Sequence, residues 1–212
     1  MLAVSKSIAA TLVGWLDMRG EPTGFWGKLT SPGTDEATWH SVEHHCADVA
    51  ACCEVLLTTT LLGRRLAACV GQVELSTQWV ARLAVLSAWH DLGKFNTGFQ
   101  NKAWRRTPMG GHVGELASVF NHTGEAQNAL CRTLPIREME SWAQGDTAFE
   151  LLLAAVSHHG SPVNTATPLP ARALWRPCPI TKRDPFDGMR DLVKASRGWF
   201  PLAFEPGGKP LP

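Results

Sequence analysis

The most informative segment of the chain reads LSAWHDLGKFNTGFQ, from Leu86 to Gln100. An apolar helical pattern ends there in adjacent His90 and Asp91, just before the helix-breaking Gly93. Two ionisable side chains at the end of an apolar helix are costly unless a partner offsets their burial. Because the helix is ending, both can point at one place, where the partner is either a divalent metal ion or a structural salt bridge.

Length and composition place the chain among globular proteins. Its 212 residues are 44% hydrophobic and 18% charged, which suits one domain with a real core and excludes a disordered chain. The formal net charge of +1 provides no overall basic field, so any contact with nucleic acid has to come from a local patch. No segment reaches the ~18 apolar residues of a membrane span. There is also no clear basic leader, so we expect a cytoplasmic protein with no membrane partner.

The cysteines follow neither a zinc-binding nor a disulfide pattern. No pair shows the two-residue gap that is typical of zinc knuckles, and four of the six fall within 46–69, among apolar residues. We therefore expect buried free thiols in a reducing compartment.

Helical periodicity dominates, and the sequence predicts an all-α fold, a helical bundle with long loops. No alternating pattern is strong enough to build a sheet. We expect one domain, 1–212, with a core at about 24–205, a Pro-rich connection at 160–184 and a tail at 200–212. The predicted helices span about 1–18, 41–62 (with Ser41 as N-cap and Gly63 as stop), 76–90, 112–121, 123–132, 146–158 and 185–198, with loops at 19–39 and 93–111.

One face of the helix predicted at 41–62 carries a histidine among apolar residues. Val42, His45 and Val49 recur at spacings of three and four, so His45 lies on the core-facing stripe, and His44 lies about a hundred degrees around the helix. A lone histidine in a core is more often a hydrogen-bonded structural residue than a metal ligand. Taken singly, His45 is a weak indication of a site.

Further histidines begin or end apolar helices. His158 and His159 form a doublet at the end of an apolar helix and before a glycine, as the histidine-aspartate pair does. His112 follows two glycines and opens a helix, where its side chain can point into a cleft. We assign His40 and His122 to the surface.

Taken together, these residues predict a metal centre. Imidazoles gathered in a core repel one another when charged, so such a cluster is stable mainly around a metal ion. Five imidazoles and one carboxylate exceed the needs of one ion, which favours two ions that share the carboxylate and act in phosphodiester hydrolysis. The expected metal-binding residues are His45, His90, Asp91, His112, His158 and His159.

Four segments resemble a known nuclease family. WHSVEHHCADVA, WHDLGKFNTGFQNK, GGHVGELAS and AVSHHGSP occur in the order and rough spacing of the HD nuclease domain of type I CRISPR-associated helicase-nucleases. These domains belong to the HD superfamily of metal-dependent phosphohydrolases. The resemblance covers roughly residues 24–205, implies an all-helical bundle, and selects His45 over His44.

The resemblance implies a metal-dependent endonuclease or exonuclease that cleaves single-stranded DNA in type I CRISPR interference, an antiviral defence. It implies two divalent ions (Mn, Fe, Co, Ni or Mg) as cofactors. The implied partners are single-stranded DNA, a helicase domain or chain, and the guide-bearing surveillance complex. By position, the resemblance implies that the ligands of one ion are His45, His90 and Asp91. The ligands of the second ion would be Asp91, His112, His158 and His159. The implied catalytic residues are His90, Asp91 and Lys94, and Lys94 would steady the phosphate.

A basic and aromatic loop follows the histidine-aspartate pair. Its cations are candidates to guide a single strand by charge, and its aromatics by stacking on bases. The alternative, at about even odds, is a solvated face whose aromatics pack inward. The cations are Lys102, Arg105 and Arg106, and the aromatics are Phe95, Phe99 and Trp104.

One feature of the family is missing from the sequence. The family's last metal-binding aspartate lies in an alanine-aspartate-tryptophan motif on a late helix, and this sequence contains no such motif. We expect a truncated or naturally short chain whose first metal site is incomplete or is completed by another chain. Asp184, Asp187 and Asp191 are candidate substitutes, and the sequence favours none of them.

Two alternatives to DNA cleavage stay open. An HD phosphohydrolase that acts on nucleotides would share the core ligands, and parallel assays on deoxynucleotides and single-stranded DNA would separate the two. A degenerate HD domain that only docks onto a helicase or surveillance complex would bind no divalent ion tightly.

Overall fold

The structure, a computed structural model, describes residues 18–19, 24–30, 38–103, 139, 141–143, 147–157, 175–177 and 182–207. Most of these residues are helical, so the predicted helical fold class is confirmed. The helices are α1 Val42–Thr59, α2 Leu61–Cys69, α3 Thr77–Ala88, α4 Thr97–Gln100, α5 Thr147–Val156 and α6 Pro185–Trp199, with 3-10 segments at Trp89–Phe95 and Pro201–Phe204.

A small antiparallel sheet shows that the prediction of no strands was wrong. Strands β1 Met18–Arg19, β2 Trp26–Leu29 and β3 Thr38–Ser41 lie in the order β1-β3-β2. The predicted helix at 1–18 therefore does not include Met18, and the predicted loop at 19–39 contains β2. Strands of two to four residues are too short to show an alternating pattern, because only pairing across the sheet defines them.

Helix α1 begins as predicted but ends earlier. The Ser41 hydroxyl accepts a hydrogen bond from the backbone N–H of His44 and so caps the helix. The helix ends at Thr59, because Thr60 is extended and its hydroxyl caps α2. The predicted stop at Gly63 is wrong, since Gly63 lies inside α2, where the helix passes too close to α1 for any side chain.

Helices α1 and α2 also bear on the question of a membrane. Within the described part of the chain, no single helix is long and apolar enough to cross a membrane. Together, α1 and α2 have the length and apolar composition of a membrane span, but their axes are bent by 81° relative to each other.

The main core lies where α1, α3, the first 3-10 segment, α5 and α6 meet. Small side chains such as Ala50 and Ala84, both fully buried, let α1 and α3 approach closely. The second 3-10 segment joins this core, since Ala203 is fully buried and accepts a hydrogen bond from the buried Arg82 guanidinium. The start of the predicted tail is thus part of the packed structure.

Several sequence predictions can be compared directly with the helices. Helices α3, α5 and α6 confirm the predictions at 76–90, 146–158 and 185–198 within two residues at each end. The first loop residues from 93 are instead 3-10 helical, and α4 follows them. The predicted helices at 112–121 and 123–132 lie outside the described residues, as do residues 1–17 of the first.

The four described cysteines all carry free thiols, as predicted. Cys46 is buried and Cys53 is half-buried, but Cys52 and Cys69 are exposed, so the expectation of burial was wrong for those two. They lie on faces of α1 and α2 that point away from the core. Cys131 and Cys178 lie outside the described residues.

Gly188 allows α6 to lie directly against the first 3-10 segment. A Cβ atom at this position would lie 2.5 Å from Phe95 Cδ1 and 2.7 Å from Phe25 Cε2. The two phenylalanine rings are themselves in edge contact, with centroids 5.0 Å apart, so neither can move freely. The position of the 3-10 segment therefore depends on a glycine in α6.

We expect Gly188→Ala to lower the free energy of unfolding by about 1–3 kcal/mol, because the added methyl group overpacks the core. Gly198→Ala is the matched control in the same helix, since nothing lies within 4 Å of a Cβ atom there. That change should raise the free energy of unfolding by up to about 1 kcal/mol, through helix propensity. Urea unfolding measures both, and equal effects would contradict the close approach of α6.

Candidate metal centre

Three side chains from two separate elements meet at one carboxylate oxygen. His45 Nε2 and His90 Nε2 each lie 3.0 Å from Asp91 Oδ2. The ligand atoms of all three residues lie within 4.8 Å of one another, and the residues that the structure describes contain no other such group. Asp91 is 1% exposed, so its charge depends on these neighbours.

A change of helix type brings adjacent residues together. Helix α3 ends at Ala88 and the chain tightens into the 3-10 segment, within which Asp91 departs from helical geometry at φ −105° and ψ 17°. In a continuous α-helix, adjacent side chains point about a hundred degrees apart. The kink lets His90 and Asp91 point at one place, as the sequence predicted.

A backbone carbonyl orients the ring of His90. Its Nδ1 lies 2.7 Å from the carbonyl oxygen of Ser87. Because a carbonyl oxygen only accepts, Nδ1 carries a proton, and Nε2 faces the Asp91 oxygen. Two electron-rich atoms 3.0 Å apart require a proton or a metal ion between them. An outer hydrogen bond of this kind is typical of metal-binding histidines.

His45 favours the neutral form that metals require. Burial lowers the pKa of His45 below its ordinary value, and the nearby charges of Lys94 and His90 lower it further. The hydrogen bond and charge of Asp91 oppose these effects without reversing them. A neutral imidazole near pH 7 is available as a ligand without first losing a proton.

Lys94 places a positive charge at the edge of the cluster. Its Nζ lies 2.6 Å from Asp91 Oδ2 and donates a hydrogen bond to the carbonyl oxygen of Gly27 at 3.1 Å. The side chain of Lys94 is 10% exposed, so water screens this charge only weakly. The ammonium group can therefore act both on the carboxylate and on an anion beside it.

The donor set fits a divalent metal ion. Imidazole nitrogen and carboxylate oxygen are ligands that first-row divalent metals prefer. Two ligands that lie about 2.1 Å from an octahedral ion at right angles are about 3.0 Å apart. The observed nitrogen-to-oxygen separations of 3.0 Å agree with such an arrangement.

A comparison with known families identifies the family of the chain. The chain matches the family described as "Cas3, HD domain" over residues 26–210. The chain belongs to the Cas3 HD-domain family. HD domains of this family are metal-dependent phosphohydrolases, and they bind divalent ions. No curated protein and no solved structure shows significant similarity to the chain.

Two histidines near the cluster do not join it. His44 is half-buried, and its ring packs 5.7 Å from that of His40. His40, which was assigned to the surface, is half-buried, and its Nε2 lies 3.1 Å from Asp48 Oδ2. This contact links β3 to α1 two turns from the cap. In this Cas3 HD domain His45, which the helical stripe and the family pattern both select, lies in the cluster, and its role as a metal ligand stays a prediction.

Several predicted site residues lie outside the described residues. They are His112, His158, His159, Arg105 and Arg106, together with His122 and Trp104.

The described aromatics of the basic loop, Phe95 and Phe99, pack inward, which agrees with the alternative to base stacking that the sequence left open. Phe95 is 3% exposed and Phe99 is 5% exposed. Phe99 stacks on Trp26 with ring centroids 4.5 Å apart. Lys102 remains half-exposed, and its Nζ lies 4.5 Å from the centre of the Phe99 ring. Burial lowers the pKa of Lys102, and the charge of Lys94 adds to the effect.

The three candidate substitutes for the late aspartate do not reach the cluster. Asp184 accepts a hydrogen bond from the backbone N–H of Phe186 and caps α6. Asp187 pairs with Arg190, and both Asp187 and Asp191 lie on the exposed side of α6. The stripe of α6 that packs on the core carries Gly188, Ser196 and apolar residues instead.

Sequence reasoning missed the residues around the cluster. Gln100 is buried and hydrogen-bonds to the backbone of Trp26 and of Lys94. At Gly27, a Cβ atom would lie 3.1 Å from Val42 Cα, so any side chain there would force β2 or α1 to shift. A glutamine in a polar loop and a glycine in a Gly-rich segment give no sequence signal of these contacts.

We expect His45→Ala to weaken the binding of Mn²⁺ at least tenfold, since loss of an outer partner alone typically costs about 10–100-fold. His44→Ala is the matched control in the same helical turn, and it should keep the affinity within about twofold. Isothermal titration calorimetry of the purified protein measures both. Equal losses in the two variants would contradict the placement of His45 in the centre.

Proposed function

We propose that this protein is a divalent-metal-dependent nuclease that hydrolyses single-stranded DNA. The observation that carries the proposal is the convergence of His45 and His90 on the buried Asp91, with the Lys94 ammonium 2.6 Å from the same oxygen. Membership of the Cas3 HD-domain family supports the reaction class. A buried carboxylate with two imidazoles and one fixed cation suits an anionic substrate such as a phosphodiester.

Each residue of the cluster has its own role in the proposed reaction. A bound divalent ion supplies Lewis acidity and lowers the pKa of a coordinated water. His45, His90 and Asp91 hold that ion, and the carbonyl oxygen of Ser87 keeps His90 in the correct tautomer. Lys94 provides positive charge where negative charge builds on the phosphoryl oxygens. Partial burial of the cluster strengthens these electrostatic effects.

We also propose a second divalent ion that shares Asp91, with His112, His158 and His159 as its further ligands. The support is their match to the histidine segments of the family pattern. The imidazole-rich donor set favours Mn, Fe, Co or Ni over Mg, because Mg prefers oxygen ligands. The late aspartate of the family has no counterpart among the described carboxylates, so the first ion depends on His45, His90 and Asp91.

The DNA contact is proposed to begin at Lys102. The overall charge is only +1, so binding has to come from local cations. Lys102 Nζ lies 4.5 Å from the centre of the Phe99 ring, and Lys94 Nζ lies 5.7 Å from the same point. Both lysines can therefore contact one strand. Arg105 and Arg106 follow in the sequence.

Through the family we propose a helicase and a CRISPR surveillance complex as partners, in cytoplasmic antiviral defence.

Asp91→Ala should lower manganese-dependent degradation of single-stranded DNA at least about 100-fold, since it removes a ligand shared by the whole cluster. Circular dichroism checks that the variant is folded. The exposed Asp187, changed to alanine, is the control and should retain activity.

Full activity of Asp91→Ala would contradict the assignment of the centre. Preferential hydrolysis of deoxynucleotides by the unmodified protein would replace the nuclease with a nucleotide phosphohydrolase. An absence of tight divalent binding would favour the docking role.

Lys102→Ala should weaken binding to single-stranded DNA and reduce the salt dependence of the binding constant by about 0.7 in the log-log slope. The physical reason is the loss of one phosphate contact and its released counterion. Lys194→Ala, on the exposed face of α6, is the control. Fluorescence anisotropy in EDTA measures binding without cleavage, and an unchanged slope in Lys102→Ala would rule out the contact.

A further inference from the structure

Gln100 ties the active-site segment to the edge strand β2. Its Oε1 accepts a hydrogen bond from the backbone N–H of Trp26 at 3.0 Å, and its Nε2 donates to the carbonyl oxygen of Trp26 at 3.0 Å. The same Nε2 donates to the carbonyl oxygen of Lys94 at 2.6 Å. In return, the indole N–H of Trp26 donates to the carbonyl oxygen of Gln100 at 3.0 Å. Gln100 is 4% exposed, so water competes little for these bonds.

These contacts form a closed ring that includes both ends of Lys94. Gln100 holds the backbone of Lys94 and the backbone of Trp26. The next residue of β2, Gly27, accepts a hydrogen bond from Lys94 Nζ at 3.1 Å. That ammonium also lies 2.6 Å from Asp91 Oδ2. The position of the Gly27 carbonyl, and with it that of the ammonium group, therefore depends on Gln100.

The strand is held from its other side as well. A Cβ atom at Gly27 would lie 3.2 Å from the carbonyl oxygen of Ser41 and 3.3 Å from His45 Cβ. Strand β2 thus lies in a narrow space between α1 and the 3-10 segment. Trp26 adds a stacked contact with Phe99, 4.5 Å between ring centroids. A small shift of β2 would move the Gly27 carbonyl relative to the metal centre.

The second acceptor matters for what Lys94 can do. A lysine side chain is flexible and has three rotatable donor hydrogens. Bound to Asp91 alone, the ammonium is free to rotate around the carboxylate oxygen. The Gly27 carbonyl draws it to one side and fixes its direction, so that its remaining donor can meet a phosphate oxygen.

We propose that Gln100 is a positioning residue that acts through Lys94. By fixing β2, it sets the Gly27 carbonyl that holds the Lys94 ammonium at the edge of the metal centre. The inference rests on the proposed nuclease function for its catalytic consequence, but the positioning itself can be measured without catalysis.

The kinetic test is a double-mutant cycle on the degradation of single-stranded DNA. Gln100→Ala should lower kcat about tenfold with KM within about twofold, since a misplaced charge affects the transition state more than binding. In the Lys94→Ala background, the same change should alter kcat less than about twofold. Equal losses in both backgrounds would overturn the inference, because Gln100 would then act independently of Lys94.

A matched control separates positioning from folding. Thr97 lies in the same helix α4, is buried, and donates a hydrogen bond to the carbonyl oxygen of Arg176 at 2.6 Å. Thr97→Val removes that bond and leaves the ring of contacts intact, so kcat should stay within about twofold. If Gln100→Ala does not fold, Gln100→Met takes its place, because it keeps the length and approximate volume of the side chain and loses the acceptor and both donors. The same non-additivity with Lys94→Ala is expected.

A second measurement does not depend on nuclease activity. The rate of acylation of Lys94 by an amine-reactive reagent, followed by mass spectrometry, reports how firmly the ammonium group is held. Gln100→Ala should raise this rate several-fold, and Thr97→Val should not change it. Faster acylation in a protein that cuts no DNA would refute the nuclease proposal and support the positioning. An unchanged rate in Gln100→Ala would overturn the positioning.

Discussion

The oxygen Asp91 Oδ2 is the point on which the centre depends. A carboxylate with 1% exposure is stable only if its neighbours replace the lost hydration. His45, His90 and Lys94 all lie within 3.0 Å of this atom, and His45 comes from a different element than the other two. Helix α1 and the 3-10 segment must therefore be held in one relative position for the charge to be tolerated.

Two glycines provide that position from opposite sides. Gly27 lets β2 pass against the start of α1, close enough for its carbonyl to reach Lys94. Gly188 lets α6 pack on Phe95, at the end of the same 3-10 segment. A larger residue at Gly27 would press β2 against the start of α1, and one at Gly188 would press α6 against the rings of Phe95 and Phe25. The small sheet is therefore part of the centre's support, although it supplies none of the three grouped ligands.

Sequence could predict the clustered residues but not their support. His45, His90 and Asp91 were predictable because helical periodicity and a helix end are local properties of the chain. Strand β2 and the Gln100 contacts were not, because they join residues 74 positions apart. The stop of α1 at Thr59 instead of Gly63 depends on a capping hydroxyl at Thr60. The inward packing of Phe99 depends on Trp26, again a contact distant in sequence.

The separation of these segments also links metal binding to folding. The imidazole of His45 and the carboxylate of Asp91 lie 46 positions apart by their numbers, so an unfolded chain has no preformed site. An ion that binds only the folded state stabilises it by mass action. Lys94 works against this link, since its ammonium already neutralises part of the charge that attracts the ion. Strand β2 fixes the direction of that ammonium through the Gly27 carbonyl, so in the proposed mechanism the same hydrogen bond also places a cation for the phosphate.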